Sequence, residues 1–162
     1  MIKHSFPPIV DTDTRLLVLG SLPGDRSLAE ARYYAHPQNQ FWRLISAAID
    51  RDIAGLPYDD RLAALRTARV GLWDVVASAV RPGSTDAAIR NHVGNDLPGL
   101  IASLPNLRAI AFNGATAHRH GVRQLGATGL PLIALPSSSP LHTVGLDAKL
   151  PAWRALRDHL AR

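Results

Sequence analysis

The chain reads as an α/β protein with a mostly parallel four-stranded sheet and helices on both faces. Three observations predict this. Segments of strand and helix character alternate from one end to the other, the pattern of a parallel sheet. Four short apolar runs, at 16–19, 70–76, 108–112 and 130–135, are each closed by a turn-forming or polar residue. Between them lie stretches with apolar residues at helical spacing, Phe41, Trp42, Ile45 and Ile49 being the clearest.

Taken in order, Phe6 to Val10 is too proline-rich for a helix and reads as an extended lead-in. Asp11 to Thr14 is a turn. Leu16 to Leu19 is the first strand, and Gly20-Ser21-Leu22-Pro23-Gly24 the loop at its carboxyl end. Ser27 can cap a short helix, with Glu30 at capping-box spacing and Arg32 in the last turn. Asn39 to Ile49 is the second helix and Asp59 to Arg69 the third. Val70 to Val76 is the second strand, with Asp74 the exception to its buried pattern. Arg81 to Ser84 is a turn or loop, Thr85 or Asp86 to Ile89 a short helix, and Asn91 to Gly94 a break. Asp96 caps a helix through Ser103. Arg108 to Phe112, ending in Asn113-Gly114, is the third strand; Ala115 to Arg123 is a helix; Leu130 to Leu135 is the fourth strand. Pro136-Ser137-Ser138-Ser139-Pro140 is a stiff hydroxyl-rich loop. Leu146 to Leu160 closes the chain, with Pro151 in the first turn, where a missing N–H costs little. In a parallel sheet the ends at Gly20, Asp74, Asn113 and Pro136 share one edge, where open α/β sheets bind ligands.

The totals bound the function. A length of 162 residues predicts one domain over 1–162. No apolar run reaches the roughly 18 residues of a membrane span, and the N-terminus has no secretory h-region. Cysteine is absent, which excludes disulfides, a thiolate nucleophile and a cysteine zinc site. The expectation is a cytoplasmic, nucleoid-associated monomer. No metal-ligand spacing, dinucleotide fingerprint or P-loop lysine appears, so neither a metal nor a cofactor is expected. The net charge of +5 suits a polyanionic partner; the arginine bias of a GC-rich genome produces the same sum. Lys3 and Lys149, the only lysines, lie near the termini and far from every motif.

Several residues have more than one reading. Asn113 can read the edge of an amide-like ring or simply turn the chain. Asn39 can cap the second helix or serve a site. His36 reads as a general acid, a phosphate contact or a structural imidazole. The serine run can hold a phosphate or form a surface turn, and His142 can face the same groove. Without a G-x-S-x-G elbow, a hydrolase using Ser138 is a distant alternative.

GSLPGDRSL at 20–28, YYAHPQNQFW at 33–42, GLWDVVASAVRPGS at 71–84, AFNG at 111–114 and LPSSSP at 135–140 together resemble the uracil-DNA glycosylase superfamily, and within it most closely the hypoxanthine-DNA glycosylase branch. The second segment is the most specific. The resemblance implies a three-layer α/β/α sandwich around a four-stranded parallel sheet. It also implies a monofunctional glycosylase of base excision repair, acting on DNA that contains deaminated bases: hypoxanthine first, then uracil or xanthine. Such an enzyme extrudes the nucleotide and leaves an abasic site. By the same resemblance Gly20, Ser21, Leu22, Pro23 and Gly24 line the base pocket. Leu22 stands where other branches carry a water-orienting Asp or Asn, and Asn39 is the substitute catalyst. Tyr34 or Phe41 stacks on the base, His36 adjoins it, and Asn113 reads its edge. Ser27, Pro136, Ser137, Ser138, Ser139, Pro140 and His142 meet DNA, and Leu141 fills the vacated stack. Leu135 replaces the histidine of other branches. The alternative is a catalytically weak or inactive nucleic-acid binder of the same fold.

Overall fold

The computed structural model describes residues 2–80, 90–140 and 144–161. Four parallel strands form the central sheet: β2 (Leu16–Gly20), β3 (Val70–Asp74), β6 (Ala109–Asn113) and β7 (Leu132–Leu135), in the order β3-β2-β6-β7. Side chains of a strand alternate between faces. Leu16, Val18, Val70, Leu72, Ala109 and Ala111 pack on one face with α2 (Phe41–Ile49), α3 (Tyr58–Thr67) and α6 (Leu146–Arg154). Leu17, Leu19, Ile110 and Phe112 pack on the other with α4 (Leu97–Ala102) and α5 (Ala115–Leu125). Both faces are covered, which is why the strands are continuously apolar. On α2 the buried residues are Phe41, Trp42, Leu44, Ile45 and Ala48, each large one contributing about 1.5–3 kcal/mol of burial. α5 lies so close to β6 that a Cβ on Gly121 would fall 2.1 Å from the Phe112 ring.

The predicted layers and strand ends are present, and the departures have physical reasons. A second, three-stranded antiparallel sheet, β1-β4-β5, joins β1 (Ile2–His4), β4 (Val76–Val80) and β5 (Arg90–Gly94). The apolar run after Val70 therefore spans two sheets: β3 stops at Asp74 and β4 begins at Val76. The expected break at Asn91 to Gly94 is β5, whose polar composition hides its pairing with β4. The helix at α1 (Asp25–Glu30) starts after Gly24 with no side-chain cap, so Ser27 lies inside it and Glu30 pairs with Arg26. α2 begins at Phe41, two residues later than expected. α4 is capped by Asp96 as expected, which accepts from Gly99 N–H at 3.0 Å. The last helix ends at Arg154 and continues as a 3-10 turn over Ala155–His159. Pro151 is its sixth residue, not in the first turn, so the Asp147 carbonyl receives no N–H from it. The expected turn at Arg81 to Ser84 and helix to Ile89 lie outside the described residues.

Candidate active site

Register decides what stands at the carboxyl edge. Gly20 pairs with Asp74, Leu19 with Phe112, and Asn113 with Leu135. Asp74, Gly20 and Asn113 thus occupy one rung across three neighbouring strands. Alternation turns all three toward the α2 and α6 side of the sheet. The strands are about 4.8 Å apart, so Asp74 and Asn113 stand about 10 Å apart at the backbone, with a residue lacking a side chain between them. A cavity of about 440 Å³ opens there. Gly20 is required by close approach: a Cβ would lie 2.7 Å from Asp74 Oδ1 and 3.1 Å from the Tyr34 hydroxyl. Asp74 is only 3% exposed, its carboxylate leans over Gly20, and its main-chain carbonyl accepts from Asn95 Nδ2 at 2.7 Å. Asp74, the exception to the buried pattern of its strand in the sequence, is a wall of this cavity.

Ser21, Leu22, Pro23 and Gly24 also line the cavity. The loop is tied to the start of the second sheet, since Val75 N–H donates to Gly20 O and Val76 N–H to Ser21 O. Leu22 packs on Val76 and Ala79. Ser27 borders the cavity but is buried, its hydroxyl accepting from Ala35 N–H at 3.0 Å.

That bond shapes the aromatic segment. Tyr34 adopts φ +52, a left-handed conformation that costs a non-glycine residue about 1–2 kcal/mol. It is held by Ser27 through Ala35 and by Trp42 Nε1, which donates to Tyr34 O at 3.2 Å. The Tyr34 ring stacks on Phe41 at 3.9 Å and 13°. Phe41 is fully buried, set edge-on against Trp42 and Trp153, and absent from the cavity lining. The expectation that Phe41 touches a base is corrected: Tyr34 covers it, and Tyr34 lines the cavity together with Tyr33. Asn39 lines the cavity half-buried, its Oδ1 accepting from Phe41 N–H at 2.9 Å; the N-cap position of α2 is Gln40, not Asn39 as the capping reading had it. His36 is at the rim and exposed, with Nδ1 accepting from Gln38 N–H at 3.1 Å.

Asn113 faces the cavity, but most of its amide is committed. Its Oδ1 accepts from Ser138 N–H and its Nδ2 donates to Ser138 Oγ, both at 2.8 Å; one N–H of Nδ2 is not used by this pair. Ser138 is 1% exposed, and its carbonyl accepts from Gln40 N–H at 2.9 Å. Ser138 therefore anchors the loop from inside, which corrects its expected place on the DNA-facing surface. Ser137, Ser139 and Pro140 are half-buried along the cavity wall. Pro136 stays outside the lining, its carbonyl held by Trp153 Nε1 at 3.0 Å. Leu141 and His142 lie outside the described residues. The lysines are not remote from the motifs. Lys3 pairs with Asp25, next to the first loop, and Lys149 Nζ reaches Ser139 O at 3.5 Å. Burial, then the charge of Asp74, pushes the Tyr33 phenol well above its ordinary range, and its hydroxyl donates to Pro7 O. Among the described residues no group of three or more His, Asp, Glu or Cys side chains is placed to hold a metal ion. No helix among them is long and apolar enough to cross a membrane.

A family model described as the Uracil DNA glycosylase superfamily matches residues 7–157. The protein is a DNA glycosylase, a hydrolase whose substrate is DNA. It belongs to the uracil-DNA glycosylase superfamily, as its five motifs implied. It is similar to a protein named Hypoxanthine DNA glycosylase from Methanosarcina acetivorans, 38% identical over 98% of this chain and 100% of the other. A protein of the same name from Methanosarcina barkeri is 38% identical over 94% of this chain and 96% of its own length. A solution NMR structure titled a putative Uracil DNA glycosylase from Methanosarcina acetivorans superposes with a TM-score of 0.89 at 38% identity. It covers 99% of this chain and all of that one.

Proposed function

We propose that the protein excises hypoxanthine, and more generally bases left by deamination, from DNA. The base is everted into the cavity, and the product is an abasic site. The observation that carries this is the rung Asp74-Gly20-Asn113, an acceptor and a donor on either side of a gap. Deamination turns the N1 lone pair of adenine into an N1–H beside a new carbonyl. A carboxylate accepts that N–H, and the remaining Asn113 N–H faces the carbonyl. Adenine would set its lone pair against the carboxylate. Uracil and xanthine present the same N–H beside a carbonyl, which extends the reading to them. Tyr34 supplies a flat face for the ring. Asn39 is the group assigned to the attacking water: Oδ1 has a second lone pair beyond the one given to Phe41 N–H. The hydroxyl loop meets the backbone beside the lesion, and the enzyme works as a monomer in the cytoplasm.

Single-turnover excision from duplexes carrying hypoxanthine, uracil, xanthine or adenine tests this. We expect hypoxanthine to be cut and adenine spared, with Asn39→Ala reducing the rate by about a hundredfold or more. The Asp74→Asn variant should lose hypoxanthine excision while gaining on purine, which has N1 as an acceptor and no carbonyl. Equal losses on both bases would remove Asp74 from base selection. Binding to damaged duplex without any turnover would favour a catalytically silent binder, a reading to which Leu22, with no group for a water, lends support.

A further inference from the structure

Three carbonyls of the loop at 136–140 meet donors from within. Trp153 Nε1 holds Pro136 O at 3.0 Å, Gln40 N–H holds Ser138 O at 2.9 Å, and Lys149 Nζ reaches Ser139 O at 3.5 Å. Trp153 and Lys149 are four residues apart on α6, so one face of one helix takes both ends of the loop. Gln40 and Asn113 fix its middle.

Lys149 is the unusual member. It is 1% exposed, and burial lowers the pKa of its ammonium below the ordinary lysine value. Burial of a charge is costly unless the group is paired, and the Ser139 carbonyl is one group that meets it. The Ser139–Pro140 peptide has no N–H, because the next residue is proline. Its carbonyl is therefore the only polar group by which the protein can orient it. A carbonyl left facing outward would set its negative end against an approaching phosphate. A cation behind it turns that end inward.

We propose that Lys149 is a positioning residue for DNA binding, which holds the Ser139 carbonyl inward and so keeps the face of the loop toward the cavity mouth open to a phosphodiester. This rests on the reading of the loop as a DNA contact. Binding and chemistry separate here, because Lys149 is not among the residues that line the cavity and meets it through the Ser139 carbonyl.

The experiment compares wild type with Lys149→Met in the full chain. It measures duplex affinity for a hypoxanthine-containing oligonucleotide, single-turnover excision at saturating protein, and thermal melting. In the Met variant the Kd rises about tenfold, the saturated rate stays within about threefold, and the melting curve shows the protein folded at the assay temperature. An affinity within about twofold of wild type overturns the proposal. So does a loss of affinity matched by an equal loss in saturated rate and a lower melting temperature, the pattern of a merely structural lysine. Wild-type protein that neither binds nor excises sinks the functional reading instead; wild-type protein that does both, with a Met variant indistinguishable from it, sinks this proposal alone.

Discussion

The two sides of the cavity are built in different ways. On the sheet side, Gly20, Asp74 and Asn113 are placed by strand register, which two apolar faces hold rigidly. On the loop side, Tyr34, Asn39 and Ser137 to Pro140 have no ladder. A few side chain to main chain bonds hold them instead: Ser27 to Ala35, Trp42 to Tyr34, Asn39 to Phe41, Trp153 to Pro136. A slip of one residue on the sheet side would turn a whole strand's side chains to the other face. The loop side can shift by small amounts when one bond is lost. The difference teaches where precision and adaptability reside. On the proposed function, fixed strand ends meet the base edge, and segments pinned at points meet the sugar and backbone.

The contrast can be broken most directly at Gly20. Gly20→Ala forces a Cβ to within 2.7 Å of the Asp74 carboxylate. Excision should fall by about a hundredfold or more, since misplacement near 1 Å has that effect, while the fold is kept; unchanged excision would show that the sheet wall yields. Asn113→Ala should cross both walls, because it removes two buried bonds to Ser138. A loss of about 2–4 kcal/mol is expected, as a lowered urea midpoint. Trp153→Phe sharpens the loop side alone. It leaves the Pro136 carbonyl without its indole donor at a cost of about 1–2 kcal/mol, and damaged-duplex affinity should weaken more than adenine discrimination.

The smallest effect should come from pH. Burial raises the Tyr33 phenol above its unfolded value near 10. Its neutral form is favoured by the folded state, so this stability is complete below pH 10 and declines as pH rises past 10. Tyr33→Phe removes that decline, and its melting curve from pH 9 upward should be flatter than that of wild type. A wild-type melting temperature that holds steady through pH 11 would show that Tyr33 carries no such term.

Much of this was legible in the sequence. The alternation of apolar runs and helical periodicity carried the four strands, both helical layers and the shared edge, and the loop closing each run marked where the cavity would lie. What escaped has a physical pattern. The second sheet was hidden because Val70 to Val80 is one apolar run that changes sheets at Val75, and because β5 pairs despite a polar composition. Phe41 and Tyr34 are equivalent by composition; only packing shows that one covers the other. Asp74 stood out as a charge in a buried strand, but its partner across the gap depended on register between strands about forty residues apart. Lys149 looked remote because its distance along the chain from Ser139 hides a contact made by the last helix.

Three consecutive strand ends that present acceptor, gap and donor form a short alphabet written on a scaffold that does not depend on the letters. Asp74 can be exchanged for an amide while the packed faces behind stay as they are, whereas Gly20 is confined by close approach and Asn113 by its two bonds to Ser138. On the proposed function, a lineage built this way changes which altered nucleobase it accepts at the exchangeable position, without passing through an unfolded ancestor.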